Sequence, residues 1–173
     1  AVGLALREQG RSVQVSFGDD PFVLPRILEF LPGLDLLVPP ADVVEEPWLV
    51  VTFDASSIDR LGLLVPNVKA ARHVVAVDHH ASYTGFAQHH VVDPAAPATA
   101  VLARELVARL DAPLTEDVAT ALYAGVLTDT GSFRYAATTP ETHALAAELM
   151  AAGVEHDLVA REVYDTADFG YVQ

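Results

Sequence analysis

The chain has 173 residues, a formal charge of −14, 51% hydrophobic residues and no cysteine. Without cysteine it has neither disulfides nor thiolate ligands, so any metal must be held by His, Asp and Glu. The negative charge argues against a surface that grips long nucleic acid through its phosphates, because that mode needs clustered Lys and Arg. No apolar stretch reaches the length of a membrane span and no signal peptide opens the chain, so we expect a cytoplasmic protein that does not contact membranes.

The first third of the sequence predicts a helix followed by short strands and turns. An apolar-faced segment over 1–9 predicts a helix that stops at Gly10. Alternation over 13–17 predicts a strand, 24–31 a short helix and 34–38 an edge strand. Because no capping residue precedes the opening helix, we expect that upstream sequence is missing here.

Two apolar runs of strand length then end in polar residues. The run 49–53 precedes Asp54, and the run 73–77 precedes Asp78-His79-His80. Short β-branched runs of this kind are typical of strands buried on both faces of a parallel sheet. In open α/β sheets, ligands bind at the carboxyl ends of the strands. If the two strands are neighbours, a carboxylate and two imidazoles meet at one edge, as a divalent metal site requires.

The rest of the chain is predicted to be helical after a long connection over 81–98, which contains a second histidine pair, His89-His90. The order of elements, βαβαβ and then helices, predicts an α/β fold with a mostly parallel sheet flanked by helices on both faces. The predicted helices are 99–110 with Thr99 as its cap, a buried helix over 118–127, 139–153 with Thr139 as its cap, and 154–164.

Asp129 lies between two threonines at the end of the buried helix. A turn that satisfies its carboxylate with local donors would explain a single aspartate. Together with Asp54 and His79 at other element ends, a cation explains it better, because buried carboxylates are costly unless paired. Oxygen and imidazole ligands without sulfur favour Mn²⁺, with Mg²⁺ as the alternative. Two such ions clamp a phosphoryl group and activate water or hydroxide for in-line attack.

Three motifs together resemble those of the DHH phosphoesterases. They are 54–56 followed by 59–62, Asp78-His79-His80 after an apolar run, and 125–134. The branch that they resemble contains oligoribonucleases and 3′-phosphoadenosine-5′-phosphate (pAp) phosphatases, and is related to RecJ-type exonucleases and family II pyrophosphatases. The resemblance implies a DHH domain over 1–165 and the start of an interdomain linker over 166–173. The family's first motif and its second, substrate-binding domain are not in this sequence, so we expect a domain that is incomplete at its N-terminus.

The resemblance also implies roles for individual residues. Asp54 matches a carboxylate that bridges two metals, while His79 and Asp129 match further ligands of one of them. His80 matches a catalytic residue that faces the scissile phosphate. Asp78 matches the carboxylate that orients the motif from behind. The other metal has too few ligands in this chain, which should cost most of the rate.

The remaining polar residues are interpreted more simply. Arg134 follows the third motif and either contacts a substrate phosphate or pairs with a surface Glu. His89-His90 has no carboxylate beside it and is not expected to bind metal. Thr130 and Ser132 are expected to form a turn, because no base is arranged to activate them.

By resemblance, the chain is an Mn²⁺-dependent phosphohydrolase with two ions in a complete site. Its substrates would be short RNA, pAp, or linear and cyclic dinucleotides, cleaved by in-line attack of hydroxide on phosphorus. Two alternatives stay open: a non-catalytic nucleotide-binding or dimerisation module of the same fold, and an inorganic pyrophosphatase. The resemblance also suggests a homodimer through this domain.

Overall fold

The computed structural model describes residues 1–164, and the predicted linker over 166–173 lies outside them. At its centre is a parallel sheet of three strands, β1 (Leu49–Phe53), β2 (His73–Asp78) and β3 (His89–Val92), in the order β1-β2-β3. Because all three strands run in one direction, their carboxyl ends lie at the same edge. The register places Phe53 beside Val77, so the residues that follow β1 and end β2 are neighbours.

Helices surround this sheet. Within 1–164 the α-helices are α1 (Val2–Glu8), α2 (Val65–Ala70), α3 (Thr99–Arg109), α4 (Glu116–Asp129), α5 (Pro140–Ala151) and α6 (His156–Tyr164). The short 3₁₀ helices are Arg26–Leu28, Leu34–Leu36, Pro40–Asp42 and Ile58–Leu64. None of the helices within 1–164 is long and apolar enough to cross a membrane.

The two faces of β2 pack against different helices. Val74 and Ala76 lie in a cluster with Val68 of α2. Val77, on the opposite face, packs with Leu102 of α3. A strand side chain alternates between faces, so a run of small and β-branched residues buries both of them. The predicted α/β architecture, a parallel sheet with helices on both faces, is confirmed.

The larger core lies among the helices, with α4 at its centre. Leu122, Val118 and Val126 of α4 are buried to 1% exposure or less. The α4 residues pack against α1, α3, α5 and α6. Thr115 caps α4 by accepting a hydrogen bond from the Val118 amide at 3.3 Å. A helix that is apolar nearly all round is thus surrounded by other helices, as predicted.

The predicted strands over 13–17 and 34–38 are almost absent. They form one parallel bridge between Val15 and Leu37, and much of the second segment is the 3₁₀ helix Leu34–Leu36. A strand pair with no further neighbour is marginal on its own, so a single bridge remains. The helix predicted over 24–31 is reduced to Arg26–Leu28, because a segment bounded by prolines is too short to sustain α-helical turns.

Two other local expectations were wrong, and one was confirmed. The connection over 81–98 contains β3. No apolar run marks this strand in the sequence, because His89, His90 and Val91 are exposed at the sheet edge. Thr99 does not occupy the cap position of α3, which belongs to Ala98; it is the first helical residue. Thr139 does cap α5, in a capping box with Thr142.

Candidate metal centre

Asp54 stands immediately after β1, at the carboxyl edge of the sheet. Its backbone has a φ of 59°, in the left-handed region that non-glycine residues seldom adopt. Its amide donates a hydrogen bond to the Val77 carbonyl at 3.0 Å, which continues the β1–β2 pairing one residue beyond the strand. Strained residues of this kind cluster at functional sites, where the surrounding structure holds them.

His79 directs one ring nitrogen towards two carboxylates. Its Nδ1 lies 3.1 Å from the Ala96 carbonyl oxygen, which can only accept, so Nδ1 carries the proton. In the neutral ring, Nε2 then has a free lone pair. Nε2 lies 3.5 Å from Asp54 Oδ1 and 4.0 Å from Asp129 Oδ2. A histidine whose second nitrogen donates to a backbone carbonyl is the usual arrangement of a metal ligand.

Asp78 lies behind the two histidines and is fully buried. Its Oδ1 accepts hydrogen bonds from the amides of His79 at 2.7 Å and His80 at 3.0 Å, and from His80 Nδ1 at 2.7 Å. Its Oδ2 has no hydrogen-bond partner within residues 1–164. The geometry is that of an orienting carboxylate, which holds both histidines at the end of β2.

His80 lies beside Asp54, with Nδ1 3.6 Å from Asp54 Oδ1. Because Nδ1 is engaged by Asp78, Nε2 is the nitrogen that remains for an external group. The side chain is 44% exposed, twice as open as the 22% of His79. His80 is therefore the more accessible of the two imidazoles.

Asp129 is the last residue of α4 and approaches the cluster from the helical layer. Burial raises the pKa of its carboxyl group, and the nearby carboxylate of Asp54 raises it further. The imidazoles of His79 and His80 and a hydrogen bond from the Thr99 backbone N–H oppose the rise in pKa. A bound cation would relieve the repulsion that raises the pKa of the Asp129 carboxyl group.

The structure thus brings the candidate ligands together. Donor atoms of Asp54, His79 and His80 all lie within 4.8 Å of one another, and Asp129 joins them through its contact with His79. The set consists of carboxylate oxygen and imidazole nitrogen, which suits a divalent cation of the Mn²⁺ or Mg²⁺ type. It is smaller than the six ligands of an octahedral ion, so water, substrate or other groups must complete the coordination.

Within residues 1–164, Arg134 has no hydrogen bond or ion pair with the carboxylates of Asp54 and Asp129. Its Nε donates to the Gly131 carbonyl at 2.6 Å, and its guanidinium makes no ion pair in the part of the chain described. The pairing with a surface Glu is therefore not observed. His89 and His90 lie on β3, where the His90 ring packs 5.4 Å from that of Tyr83.

The segment that opens α3 was missed by the sequence analysis. The Thr99 hydroxyl donates to Asp54 Oδ1 at 2.7 Å, and the Ala96 carbonyl accepts from His79 Nδ1 at 3.1 Å. The sequence shows Thr99 only as a helix-opening residue after alanines and prolines. No local pattern indicates which distant carboxylate its hydroxyl binds.

No protein-family model matches the chain. The bifunctional oligoribonuclease and PAP phosphatase NrnA of Thermus thermophilus is 37% identical over 131 residues, which are 76% of this chain and 39% of that protein. The chain belongs to the DHH family. This DHH chain spans about two fifths of the length of that relative.

Solved structures share the fold of this DHH chain. An exopolyphosphatase-related protein from Bacteroides fragilis superposes with a TM-score of 0.86 and 24% identity, over 99% of this chain and 53% of that one. A putative family II inorganic pyrophosphatase from Methanococcus jannaschii has a TM-score of 0.53 and 18% identity, over 68% of this chain and 42% of that one. At these identities the likeness concerns the fold alone.

Proposed function

We propose that the chain is the metal-binding part of a phosphohydrolase that cleaves short RNA, pAp, or linear and cyclic dinucleotides. The observation that carries the proposal is the placement of His79 Nε2 between Asp54 and Asp129, with Nδ1 fixed by a backbone carbonyl. The printed name of the Thermus thermophilus relative, an oligoribonuclease and PAP phosphatase, supports this class of substrate.

The cofactor we propose is Mn²⁺, two ions in a complete site, with Mg²⁺ as the alternative. A bound divalent cation supplies positive charge for the phosphoryl oxygens and lowers the pKa of the attacking water. Asp54 would hold both ions, because a carboxylate has two oxygens and this one lies near both histidines. His79 and Asp129 would be the further ligands that this chain offers to one ion.

His80 and Arg134 are the proposed phosphate contacts. With Nδ1 held by Asp78, the His80 ring presents Nε2 to an external oxygen. A ring that is protonated on both nitrogens donates a hydrogen bond there and stabilises the negative charge that develops on the phosphoryl group. Arg134 has a planar guanidinium without a carboxylate partner in residues 1–164, which suits it to a substrate phosphate.

The decisive experiment measures Mn²⁺-dependent hydrolysis of a diadenylate and of pAp by this chain. Asp54→Asn and His79→Gln should each reduce turnover by roughly 100-fold or more, because each removes a ligand. The control is Asp19→Asn, an exposed aspartate outside the cluster. It should leave turnover unchanged.

The alternatives give different results in the same assay. Nucleotide binding without hydrolysis would identify a binding or dimerisation module. Hydrolysis of inorganic pyrophosphate in preference to both nucleotides would identify a pyrophosphatase. Either result would overturn the proposed substrate class. The domain limits 1–165, a homodimer and a cytoplasmic location stay predictions.

A further inference from the structure

We infer that Thr99 is a positioning residue that orients Asp54 in the metal centre, an inference that rests on the proposed metal site. The side chain is buried, at 5% exposure. Its hydroxyl donates to Asp54 Oδ1 at 2.7 Å, across 45 positions of sequence. The hydroxyl is not needed as a helix cap, because Ala98 holds that position and no side chain caps α3.

The same residue also acts on the second carboxylate. The Thr99 backbone N–H favours the ionised form of Asp129. The first amides of a helix have no partner within the helix, so they favour a negative charge nearby. Thr99 thus acts on Asp54 through its hydroxyl and on Asp129 through its backbone N–H.

The third ligand is held by the same segment. His79 Nδ1 lies 3.1 Å from the Ala96 carbonyl, three residues before Thr99. The short stretch from Ala96 to Thr99 thus contacts His79 at the end of β2 and Asp54 at the end of β1. The segment that leads into α3 therefore makes hydrogen bonds to two of the three proposed ligands.

A hydroxyl suits this task better than a charged group. Asp54 Oδ1 also lies 3.5 Å from His79 Nε2 and 3.6 Å from His80 Nδ1. Rotation of the Asp54 carboxylate therefore sets where its oxygens lie relative to the imidazole nitrogens. One neutral hydrogen bond fixes that rotation and leaves Oδ2 and a second lone pair of Oδ1 for a cation. A lysine or arginine at the same place would hold Asp54 too, but its charge would compete with the metal.

The inference is tested by the Mn²⁺ affinity of the purified chain, measured by isothermal titration calorimetry. Thr99→Val keeps the shape and removes the donor, whereas Thr99→Ser keeps the donor and removes the methyl group. Loss of a group that orients a ligand typically weakens metal binding by about 10- to 100-fold, and we expect this for Thr99→Val. Thr99→Ser should stay within about 3-fold of the parent chain, since the hydrogen bond is retained.

A matched control is Thr52→Val in β1. Thr52 is buried to a similar degree, at 6% exposure, but its hydroxyl has no partner within residues 1–164. Its replacement should leave the Mn²⁺ affinity unchanged, which separates the specific hydrogen bond from the general effect of removing a buried hydroxyl. Thr99→Ala replaces Thr99→Val if circular dichroism shows that the valine variant does not fold.

Four outcomes would overturn the inference. Thr99→Val could bind Mn²⁺ as tightly as the parent, which would make the hydrogen bond irrelevant to the ligands. Thr99→Ser could lose as much affinity as Thr99→Val, which would assign the effect to packing of the methyl group. The parent chain could also bind no Mn²⁺, or Asp54→Asn could bind it as tightly as the parent. Either result would contradict the proposed metal site and, with it, the role of Thr99.

Discussion

The buried carboxylate of Asp78 lies 2.7 Å from His80 Nδ1, and the same oxygen also accepts the amides of His79 and His80. One charged atom therefore determines how the chain leaves β2 and where both imidazoles point. We expect Asp78→Ala to lower the free energy of unfolding by about 2–3 kcal/mol, because donors that met a charge lose their partner. Urea unfolding followed by circular dichroism measures this loss.

Asp78→Asn is the informative companion of that variant. An amide oxygen still accepts the two backbone amides, so the loss of stability should be smaller than for alanine. If both variants lost the same stability, the negative charge rather than the hydrogen-bond geometry would be the stabilising feature. If neither lost any, the arrangement around Asp78 would not contribute to folding.

Mn²⁺ should stabilise the chain against heat. A ligand that binds only the folded state at about 100 times its dissociation constant contributes about 2.7 kcal/mol. For a domain of this size, that corresponds to a rise in Tm of roughly 5–10 °C, measurable by differential scanning calorimetry.

Asp129→Asn should slightly raise the Tm of the metal-free chain but abolish its stabilisation by Mn²⁺. Burial and the Asp54 carboxylate raise the pKa of Asp129, so its ionised form is disfavoured in the metal-free fold. A neutral amide removes that penalty, and the metal-free Tm should rise slightly. The response to Mn²⁺ should be lost together with the ligand. A variant that is less stable without metal, or that responds to Mn²⁺ like the parent, contradicts this account of Asp129.

Gly18 is predicted to tolerate no side chain. A Cβ there would lie 1.9 Å from the Leu61 carbonyl oxygen, while the Leu63 amide donates to the Gly18 carbonyl at 2.9 Å. The Cβ would clash with backbone atoms of Leu61 and Leu63, so moving a flexible side chain cannot relieve the clash. Gly18→Ala should cost about 2–3 kcal/mol of unfolding free energy, as overpacking does, measured by urea denaturation.

Gly85→Ala is the comparison for that variant. Nothing lies within 4 Å of a Cβ at Gly85, but its φ is +73°. Only the left-handed conformation is penalised, at about 1–2 kcal/mol. If Gly85→Ala lost more unfolding free energy than Gly18→Ala, residue 18 would not be packed tightly against residues 61–63.

The cap of α5 offers a test with two adjacent threonines. The Thr139 hydroxyl accepts the Thr142 amide, whereas the Thr138 hydroxyl is buried without a partner within residues 1–164. Thr139→Ala should cost about 1 kcal/mol in urea denaturation. Thr138→Ala removes an unsatisfied group, so its cost should stay within about 0.5 kcal/mol. Equal costs would mean that the capping box adds no stability.

The predictable part of the fold is the part with a local signal. The strands that end at Asp54 and Asp78 follow from uninterrupted apolar runs, and the cap at Thr139 follows from a threonine before proline. In contrast, β3 begins with two exposed histidines, so half of the strand has no apolar pattern. The segments around Val15 and Leu37 alternate like strands, but their pairing depends on neighbours distant in sequence, and only one bridge forms.

The residues of the site also divide into those that a local sequence pattern indicates and those that it does not. Asp54, His79 and Asp129 stand at the ends of elements, and parallel strands place the first two at one edge by geometry alone. Thr99 could not be recognised, because its hydroxyl meets a carboxylate that is 45 positions away. The approach of α3 to the sheet that makes this contact is decided by tertiary packing, in which Leu102 of α3 lies against Val77 of β2.

The start of α3 has a consequence for the order of events in folding. The proposed ligands converge only after β1 and β2 have paired and α3 and α4 have docked, because no local segment of the chain contains the set. Such non-local contacts form late, so a cation finds its binding site only in a nearly native chain. Its main effect should then be on the unfolding rate rather than on the folding rate. Bound metal would prolong the lifetime of the native state, and a chelator would shorten it while refolding stayed equally fast.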